Sequence, residues 1–265
     1  MKIHLEPEVV LVWRPTFVQV GVERLLSKYG QTIEGWRRDP SDGDGDGIPE
    51  LYGRMCYSAL GPLQGRVGAK SYHENILSSG HGSVLETATW GFAVFGASRG
   101  YLAQMTRHRA GFAYAAESTH FERFSSGGEK GTVEPGICLA GIPEGASRDL
   151  IDAGCRAALA NYNRLWDEIR KSFPVDGKVK KIVSGVARGL LPTALECKLG
   201  FTANARSLRH LCQMRGNSAN TVEIRIVAAQ VAKIMLIEAP AIFQDFSVVI
   251  DEDGWPTVKS VWQKV

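Results

Sequence analysis

The chain has 265 residues, with 31 Lys and Arg against 28 Asp and Glu, and so a formal net charge of +3. Hydrophobic residues make up 44% and charged residues 22%, which excludes wholesale disorder and supplies the apolar side chains of a substantial core. So mild a charge excludes the basic footprint of a nucleic-acid polymer binder, but it leaves room for a local cationic site for small anions. The first residues, MKIHLEPEVV, bring acids early and lack the apolar run of a secretory signal. Residues 9–20, VVLVWRPTFVQV, are β-branched and interrupted by proline, which predicts an edge strand or two short strands. A short helix is expected over 21–29. Asp39 to Pro49, DPSDGDGDGIP, reads as an acidic, glycine-rich loop. Its Asp42, Asp44 and Asp46 resemble calcium ligands, yet the twelfth position, where a bidentate glutamate is needed, is Gly53. A solvated acidic turn is the better reading.

A helical pattern follows from Val67 to Ser79. Thr89 to Phe95 alternates as a strand with Trp90, Phe92 and Val94 on one face. The longest charge-free apolar stretch, Thr87 to Ser98, is too short to span a bilayer. A helix from Ser98 to about Arg109 would carry Gln104, Arg107, His108 and Arg109 at its C-terminal end, where cations complement the helix dipole. Ser125 to Gly131 reads as a loop. Residues 148–173 are amphipathic, with Leu150, Ala158, Tyr162, Leu165, Ile169 and Phe173 as the expected apolar face. Lys178 to Leu190 is expected to be helical and to stop near Pro192.

Ala194 to Thr202 alternates, with Leu195, Cys197, Leu199 and Phe201 facing one way. Asn204 suits the N-cap of the helix ARSLRHLCQMR. The helix Val222–Glu238 is apolar over more than one face, which predicts burial against other copies of the chain. Phe246–Ile250 and Thr257–Val261 are expected to pair around a DEDG turn. Together these elements predict a single α/β domain of the α+β kind over residues 1–265, with a central mixed or antiparallel sheet flanked by helices and a short N-terminal extension.

Three clusters could carry chemistry. The first is Gln104, Arg107, His108 and Arg109, and the second is Asn204, Arg206, His210 and Arg215, with Arg206 and His210 at i,i+4 on one helical face. Guanidinium forks match phosphate bidentately, so two arginine clusters bracketed by apolar strands point to anion recognition, against the plainer reading of exposed basic helix ends. The third cluster is His81-Gly82-Ser83-Val84-Leu85-Glu86. Its Ser83 and Glu86 are spaced as a capping box, while His81 could stack on or hydrogen-bond a planar ligand. GxSxG, a P-loop, HExxH and a strand-borne GxGxxG are all absent. The cysteines (Cys56, Cys138, Cys155, Cys197 and Cys212) are scattered, odd in number and without a CxxC pair. They fit reduced thiols of a cytoplasmic protein, not a disulfide scaffold or zinc site. Cys212 reads as packed within its helix and not as a nucleophile.

Taken together, the clusters resemble the flavin-dependent thymidylate synthase (ThyX) family. Its Arg-His-Arg signature, with a glutamine three residues earlier, is matched by Gln104 and Arg107-His108-Arg109. Its Gly-His-x-Ser/Thr-Pro-Phe-Glu motif resembles Gly80 to Glu86, and its Asn-Ala-Arg-Ser-Leu segment recurs as Asn204 to Leu208. Arg215 matches the arginine ending that helix, and Arg188 the arginine shortly before a Leu-Pro pair, here Leu191-Pro192. The resemblance implies a homotetramer with shared active sites, binding FAD and using NADPH and methylenetetrahydrofolate to methylate C5 of a uridine nucleotide. It implies flavin contacts from Ser58, His81, Ser83, Glu86, Arg107, His108, Arg109, Asn204, Arg206 and His210, the last usually asparagine in the family. It implies nucleotide contacts from Gln104, Arg107, Glu117, Ser118, His120, Arg188 and Arg215, with Arg215 and Ser118 in the chemistry. No metal and no membrane enter this picture.

The departures fall in one stretch. After Arg109 the chain reads AGFAYAAESTHF, where the family has an Asn-Glu pair, Ser and Arg-Tyr. His120 and Phe121 stand at the arginine and tyrosine positions, and Ser118 follows eight residues instead of seven. That loop binds phosphate and sugar in the family, so its loss of an arginine calls for Arg123 or another cation in compensation. Small residues at Ala113, Ala115 and Ala116 leave space for a ribose hydroxyl, which predicts turnover of UMP as well as dUMP. The rewriting resembles the UMP/dUMP C5-methylase branch of the family, found in polyoxin biosynthesis. The alternatives are a housekeeping thymidylate synthase strict for dUMP and a flavin- and nucleotide-binding module without turnover.

Overall fold

The structure is a computed structural model that describes residues 1–36, 43–61, 68–125, 130–172 and 177–263. The first half contains β1 (Lys2–His4), β2 (Glu8–Trp13), α1 (Gln19–Ser27), α2 (Ile33–Trp36), α3 (Asp44–Cys56), α4 (Ala69–Ser78), a 3-10 helix (Gly82–Thr87), β3 (Thr89–Phe95) and α5 (Arg99–Met105). The second half contains β4 (Phe112–Ala116), β5 (Gly136–Cys138), α6 (Ala146–Ser172), α7 (Gly177–Ala187), β6 (Leu199–Asn204), α8 (Ala205–Arg215), α9 (Val222–Glu238), β7 (Ser247–Ile250) and β8 (Pro256–Lys259). Four strands form a sheet in the order β2-β3-β6-β4. β1 pairs with β5 in parallel, and β7 with β8 antiparallel, Val248 opposite Val258. Helices and strands are mixed as the patterning predicts. β2 is an edge strand, where the proline that follows it costs no ladder bond. Trp90, Phe92 and Val94 are buried on β3, as are Leu195, Cys197, Leu199 and Phe201 on the segment leading into β6.

The chain forms two compact units, one of residues 1–8, 94–107 and 114–200, the other of residues 9–93, 108–113 and 201–265. In the first unit, Phe124, Leu159, Tyr162, Trp166, Val183, Ala187 and Leu195 form a core that joins α6 to α7. Ile137, Leu139 and Cys155 tie β5 to α6. The buried stripe of α6 therefore runs Cys155, Leu159, Tyr162, Trp166, at i, i+4, i+7 and i+11. Leu150, expected on that face, is 75% exposed. It stands five residues before Cys155, off the three-and-four spacing of the stripe, so its side chain leaves the buried face. Phe173 lies outside the described residues, as do Val67 and most of the Ser125–Gly131 loop.

The second unit revises two expectations. α3 begins at Asp44, inside the stretch read as a solvated acidic loop; only the part of that loop at 39–42, including Asp42, lies outside the described residues. Asp46 is buried because its carboxylate accepts the backbone N–H groups of Ala241 at 3.0 Å and Ile242 at 2.9 Å. Gly45 permits the approach, since a Cβ there would lie 2.5 Å from the Glu238 carbonyl oxygen and 2.8 Å from the Trp90 ring. The acid is satisfied by main-chain donors from distant sequence, which composition does not reveal. α9, in turn, buries Ile224, Ile226, Val227, Val231 and Met235 against α8 and the β7–β8 pair. Ile237 near its end is 80% exposed. Met214 is 55% exposed, so it is not one of the packed residues of α8.

Two arginines missing from the sequence reading hold this unit together. Arg209 is fully buried and donates to both carboxylate oxygens of Asp245, at 2.7 and 3.1 Å, and to the carbonyls of Ile242 and Trp262. Arg225 pairs with Asp253 and donates to Thr257 Oγ1 at 2.9 Å. Forked donors of this kind are tolerated in a core because their terminal N–H groups find acceptors, as Arg209 Nη1 and Nη2 do.

Candidate active site

α5 ends at Met105, two residues before the Arg-His-Arg triplet, so Arg107, His108 and Arg109 occupy a turn and not the helix end expected. The helix stops because Tyr114 Oη–H donates to the Met105 carbonyl at 2.8 Å, taking an acceptor that a further turn would have used. Gly111, at φ +71°, then reverses the chain into β4. This turn is seated on the start of α8. Ser207 Oγ–H donates to the Ala110 carbonyl at 2.7 Å and the Asn204 N–H to the Gly111 carbonyl at 3.2 Å. A Cβ on Gly111 would collide with Ser207 Oγ and Asn204 Nδ2. Asn204 caps α8 as the sequence predicts, accepting from Ser207 N–H at 2.9 Å. No capping box forms at Ser83 and Glu86. The 3-10 helix starts after His81 without a side-chain cap, and Glu86 instead accepts from Arg206 Nη1 at 2.7 Å.

These contacts create a polar face in the second unit. His81, Ser83, Glu86, Arg109 and His210 are exposed and Arg206 is half-buried, while Leu85, Ala88, Ala205 and Leu208 beneath them are buried. Arg215 Nε–H donates to His108 Nε2 at 2.8 Å, and Arg215 Nη1–H to Asn220 Oδ1 at 3.4 Å. The His108 and His210 rings lie 5.9 Å apart. Burial first, then the charge of Arg215 and the neighbouring His210, push the His108 pKa down to about 4. Its imidazole is therefore neutral near pH 7, with Nε2 as acceptor and the proton on Nδ1. Ser58 is exposed in the left-handed region at φ +52°, the sole non-glycine there among the described residues. It closes α3 with Ser58 N–H on the Met55 carbonyl and Ala59 N–H on that of Arg54, the Schellman pattern. An exposed set of guanidinium, imidazole and hydroxyl donors on a rigid apolar base suits a ligand with planar rings and a diphosphate. FAD has both.

The first unit holds the remaining candidates. Arg188 lines a cleft of about 330 Å³ with Arg99, Thr119, Leu191, Pro192 and Thr193. That volume falls near the lower end of roughly 300–1,000 Å³ for small-molecule sites. Arg99 was not singled out in the sequence. It stands in the first turn of α5, where a cation opposes the helix dipole, and that placement was the available signal. Arg123, the cation expected to compensate for the lost arginine, is engaged elsewhere. It pairs with Asp167 at 3.5 Å and lies 5.4 Å over the Trp166 ring. Glu117 accepts from Lys198 Nζ at 2.8 Å, and Ser118 Oγ from His120 N–H at 3.2 Å. Gln104 is half-buried and Arg107 exposed at the end of α5.

The cysteines are free. Burial pushes the Cys212 thiol up to about 12 and raises those of Cys155 and Cys197, so Cys212 is packed and unreactive, as its context predicts. Among the described residues no helix is long and apolar enough to cross a membrane.

The profile of the family described as thymidylate synthase complementing protein matches residues 41–241. The flavin-dependent thymidylate synthase of Mycobacterium marinum (strain ATCC BAA-535 / M) is 31% identical over 223 residues, covering 83% of this chain and 86% of that protein. That of Mycobacterium tuberculosis (strain ATCC 25618 / H37Rv) is 31% identical over 224 residues, with the same shares. The crystal structure of the UMP/dUMP methylase PolB from Streptomyces cacaoi, bound with 5-Br dUMP, superposes with a TM-score of 0.63 at 16% identity, covering 92% of this chain and 96% of that one. PolB therefore shares the fold, and the profile match with the mycobacterial identities shows that this chain belongs to the flavin-dependent thymidylate synthase family.

Proposed function

We propose that the protein is a flavin-dependent uridylate C5-methyltransferase. It replaces the C5 hydrogen of the uracil ring with a methyl group, taking the carbon from methylenetetrahydrofolate and the reducing equivalents from NADPH. The observation that carries the reading is the cleft where Arg99 and Arg188 meet buried Thr119, since paired guanidiniums and a hydroxyl are the donor set of a phosphate monoester. FAD, when bound, supplies the hydride chemistry. The chain's own part is binding and orientation. His81, Ser83, Arg109, Arg206 and His210 present donors to the cofactor, with Glu86 holding Arg206 in place. Gln104, Arg107 and Arg188 hold the nucleotide. Arg215 is assigned to the nucleotide by the family resemblance, and its guanidinium is steadied by neutral His108, which adds no competing charge. Ser118 stabilises its own turn through the His120 N–H, and Glu117 is neutralised by Lys198. Cys155, Cys197 and Cys212 are buried with raised thiol pKa values, so none of these three is poised as a nucleophile.

The reading includes UMP as a substrate beside dUMP, and with it a role in nucleoside antibiotic biosynthesis. Ala113, Ala115 and Ala116 are exposed along β4 and leave room beside a ribose, and rejecting an added hydroxyl by fit alone is weak in general. The fold likeness to a UMP/dUMP methylase supports the same substrate pair. A second reading, strict use of dUMP, draws support from the 31% identity to thymidylate synthases. Measured kcat/KM values for both nucleotides separate them. UMP turnover within about a hundredfold of dUMP, the discrimination that fit alone supplies against an added hydroxyl, supports relaxed specificity; UMP at the no-enzyme background establishes the strict reading. The reading also includes a cytoplasmic homotetramer with shared sites. Support comes from edge strand β2, which exposes Val10, Val12 and Trp13, and light scattering of an active monomer would overturn it.

A further inference from the structure

The turn that follows β4 is fastened to α7 by contacts that leave its buried threonine facing the cleft. His120 Nε2–H donates to the Lys181 carbonyl at 2.9 Å. The Lys181 ammonium lies 5.3 Å from the centre of the Phe121 ring, and the His120 and Phe121 rings stack at 5.6 Å. The Ser118 carbonyl accepts from both Phe121 N–H and Glu122 N–H, so the turn is closed on itself. Gly185, one turn further along α7, supplies the space for the imidazole, because a Cβ there would lie 3.3 Å from His120 Nε2. Glycine within a helix is unfavourable relative to alanine, and here it falls where the ring docks. Thr119, held between Ser118 and His120, is 5% exposed and lines the cleft beside Arg99 and Arg188.

We propose that His120 is a positioning residue for phosphate: by anchoring its turn to α7 it holds the Thr119 hydroxyl where, with Arg99 and Arg188, it receives a phosphate monoester. The inference rests on the nucleotide reading above and adds what the rewritten loop does. The imidazole's donor is committed to a main-chain carbonyl and its ring to Phe121 and α7, so it acts on the ligand through the turn. Charge neutralisation falls to the two arginines, and the hydroxyl adds a neutral donor whose direction the clasp sets.

The test uses the FAD-loaded enzyme and compares wild type with His120→Ala, His120→Gln and Gly185→Ala. Three quantities are read for each: KM and kcat for UMP and dUMP, calorimetric affinity for inorganic phosphate, and affinity for uridine, which lacks the phosphate. His120→Ala is expected to raise the nucleotide KM and the phosphate Kd by about fivefold, as for one lost hydrogen bond. Its kcat and uridine affinity should stay within about twofold, the scatter expected where no contact is lost. Glutamine, whose amide can donate to the same carbonyl, should recover most of the loss. Gly185→Ala should raise the same KM without lowering Tm, because the helix gains propensity while the ring is displaced. A KM unchanged in His120→Ala, or a parallel loss of uridine affinity, overturns the proposal while leaving the methyltransferase reading intact. Wild-type protein that binds phosphate in a His120-dependent way yet methylates neither nucleotide sustains this site and overturns that reading instead.

Discussion

His108 shows how a local environment fixes a protonation state. Its pKa of about 4 in the folded chain lies below the ordinary 6.5, so the unfolded chain binds the extra proton over that window. The neutral imidazole therefore contributes stability that is fully present above pH 6.5 and is lost as pH falls through 4. Tm measured between pH 7 and 4 should fall, and His108→Gln, which keeps an acceptor for Arg215 but does not titrate, should fall less steeply. Ser58 makes the opposite bargain. A left-handed serine is strained where glycine is not, so Ser58→Gly should stabilise the fold by up to about 1 kcal/mol in urea unfolding, the αL strain less the entropy glycine adds to the unfolded chain. If the exposed hydroxyl contacts the flavin, as the family resemblance implies, the same variant should bind FAD more weakly in a fluorescence titration. Unchanged affinity would remove Ser58 from the cofactor site.

At the scale of elements, the start of α3 and the stop of α5 depart from local expectation for related reasons. Asp, Gly and Pro favour loops in isolation, yet two backbone N–H groups from residues 241 and 242 satisfy Asp46, and a close approach to Glu238 and Trp90 requires Gly45. Gly45→Ala places a methyl against a backbone carbonyl and a buried indole, neither of which can yield. It should cost about 1–3 kcal/mol by overpacking, read as a lower urea midpoint with unchanged m-value. α5 stops early because Tyr114, nine residues on, takes the Met105 carbonyl. Helical periodicity is local information, and both events depend on residues outside the period. The apolar pattern of α9 does form a helix, much of which packs on α8, β7 and β8 of the same chain, while Ile237 stays exposed.

At the scale of the whole molecule, the fold depends on charges placed where no solvent reaches. Asp245→Ala would leave fully buried Arg209 without its bidentate partner and should destabilise the protein by about 3–5 kcal/mol. Against a typical total of roughly 5–15 kcal/mol that is a large share, and circular-dichroism melts should show it directly. Arg209 and Arg225 carry no local signal of burial, because an arginine on an amphipathic helix is normally solvated. Only the distant Asp245 and Asp253, brought in by the C-terminal strand pair, make those positions habitable.

By itself the sequence determined the alternating strand at 89–95, the capped helix from Asn204, the apolar helix at 222–238 and the motif residues that reveal the family. Each is written in a short window, as a period, a cap or a contiguous motif. Tertiary structure alone decided which polar residues meet: Arg99 with Arg188 and Thr119, His108 with Arg215, Glu86 with Arg206, and His120 with the Lys181 carbonyl. It also removed Arg123 from the cleft by pairing it with Asp167. The hydrogen-bonded pairs among them join positions 61 to 120 residues apart, and a guanidinium or imidazole can serve either a ligand or a neighbouring acceptor. Which one it serves depends on the chain path that delivers the acceptor, and local sequence carries no record of that path.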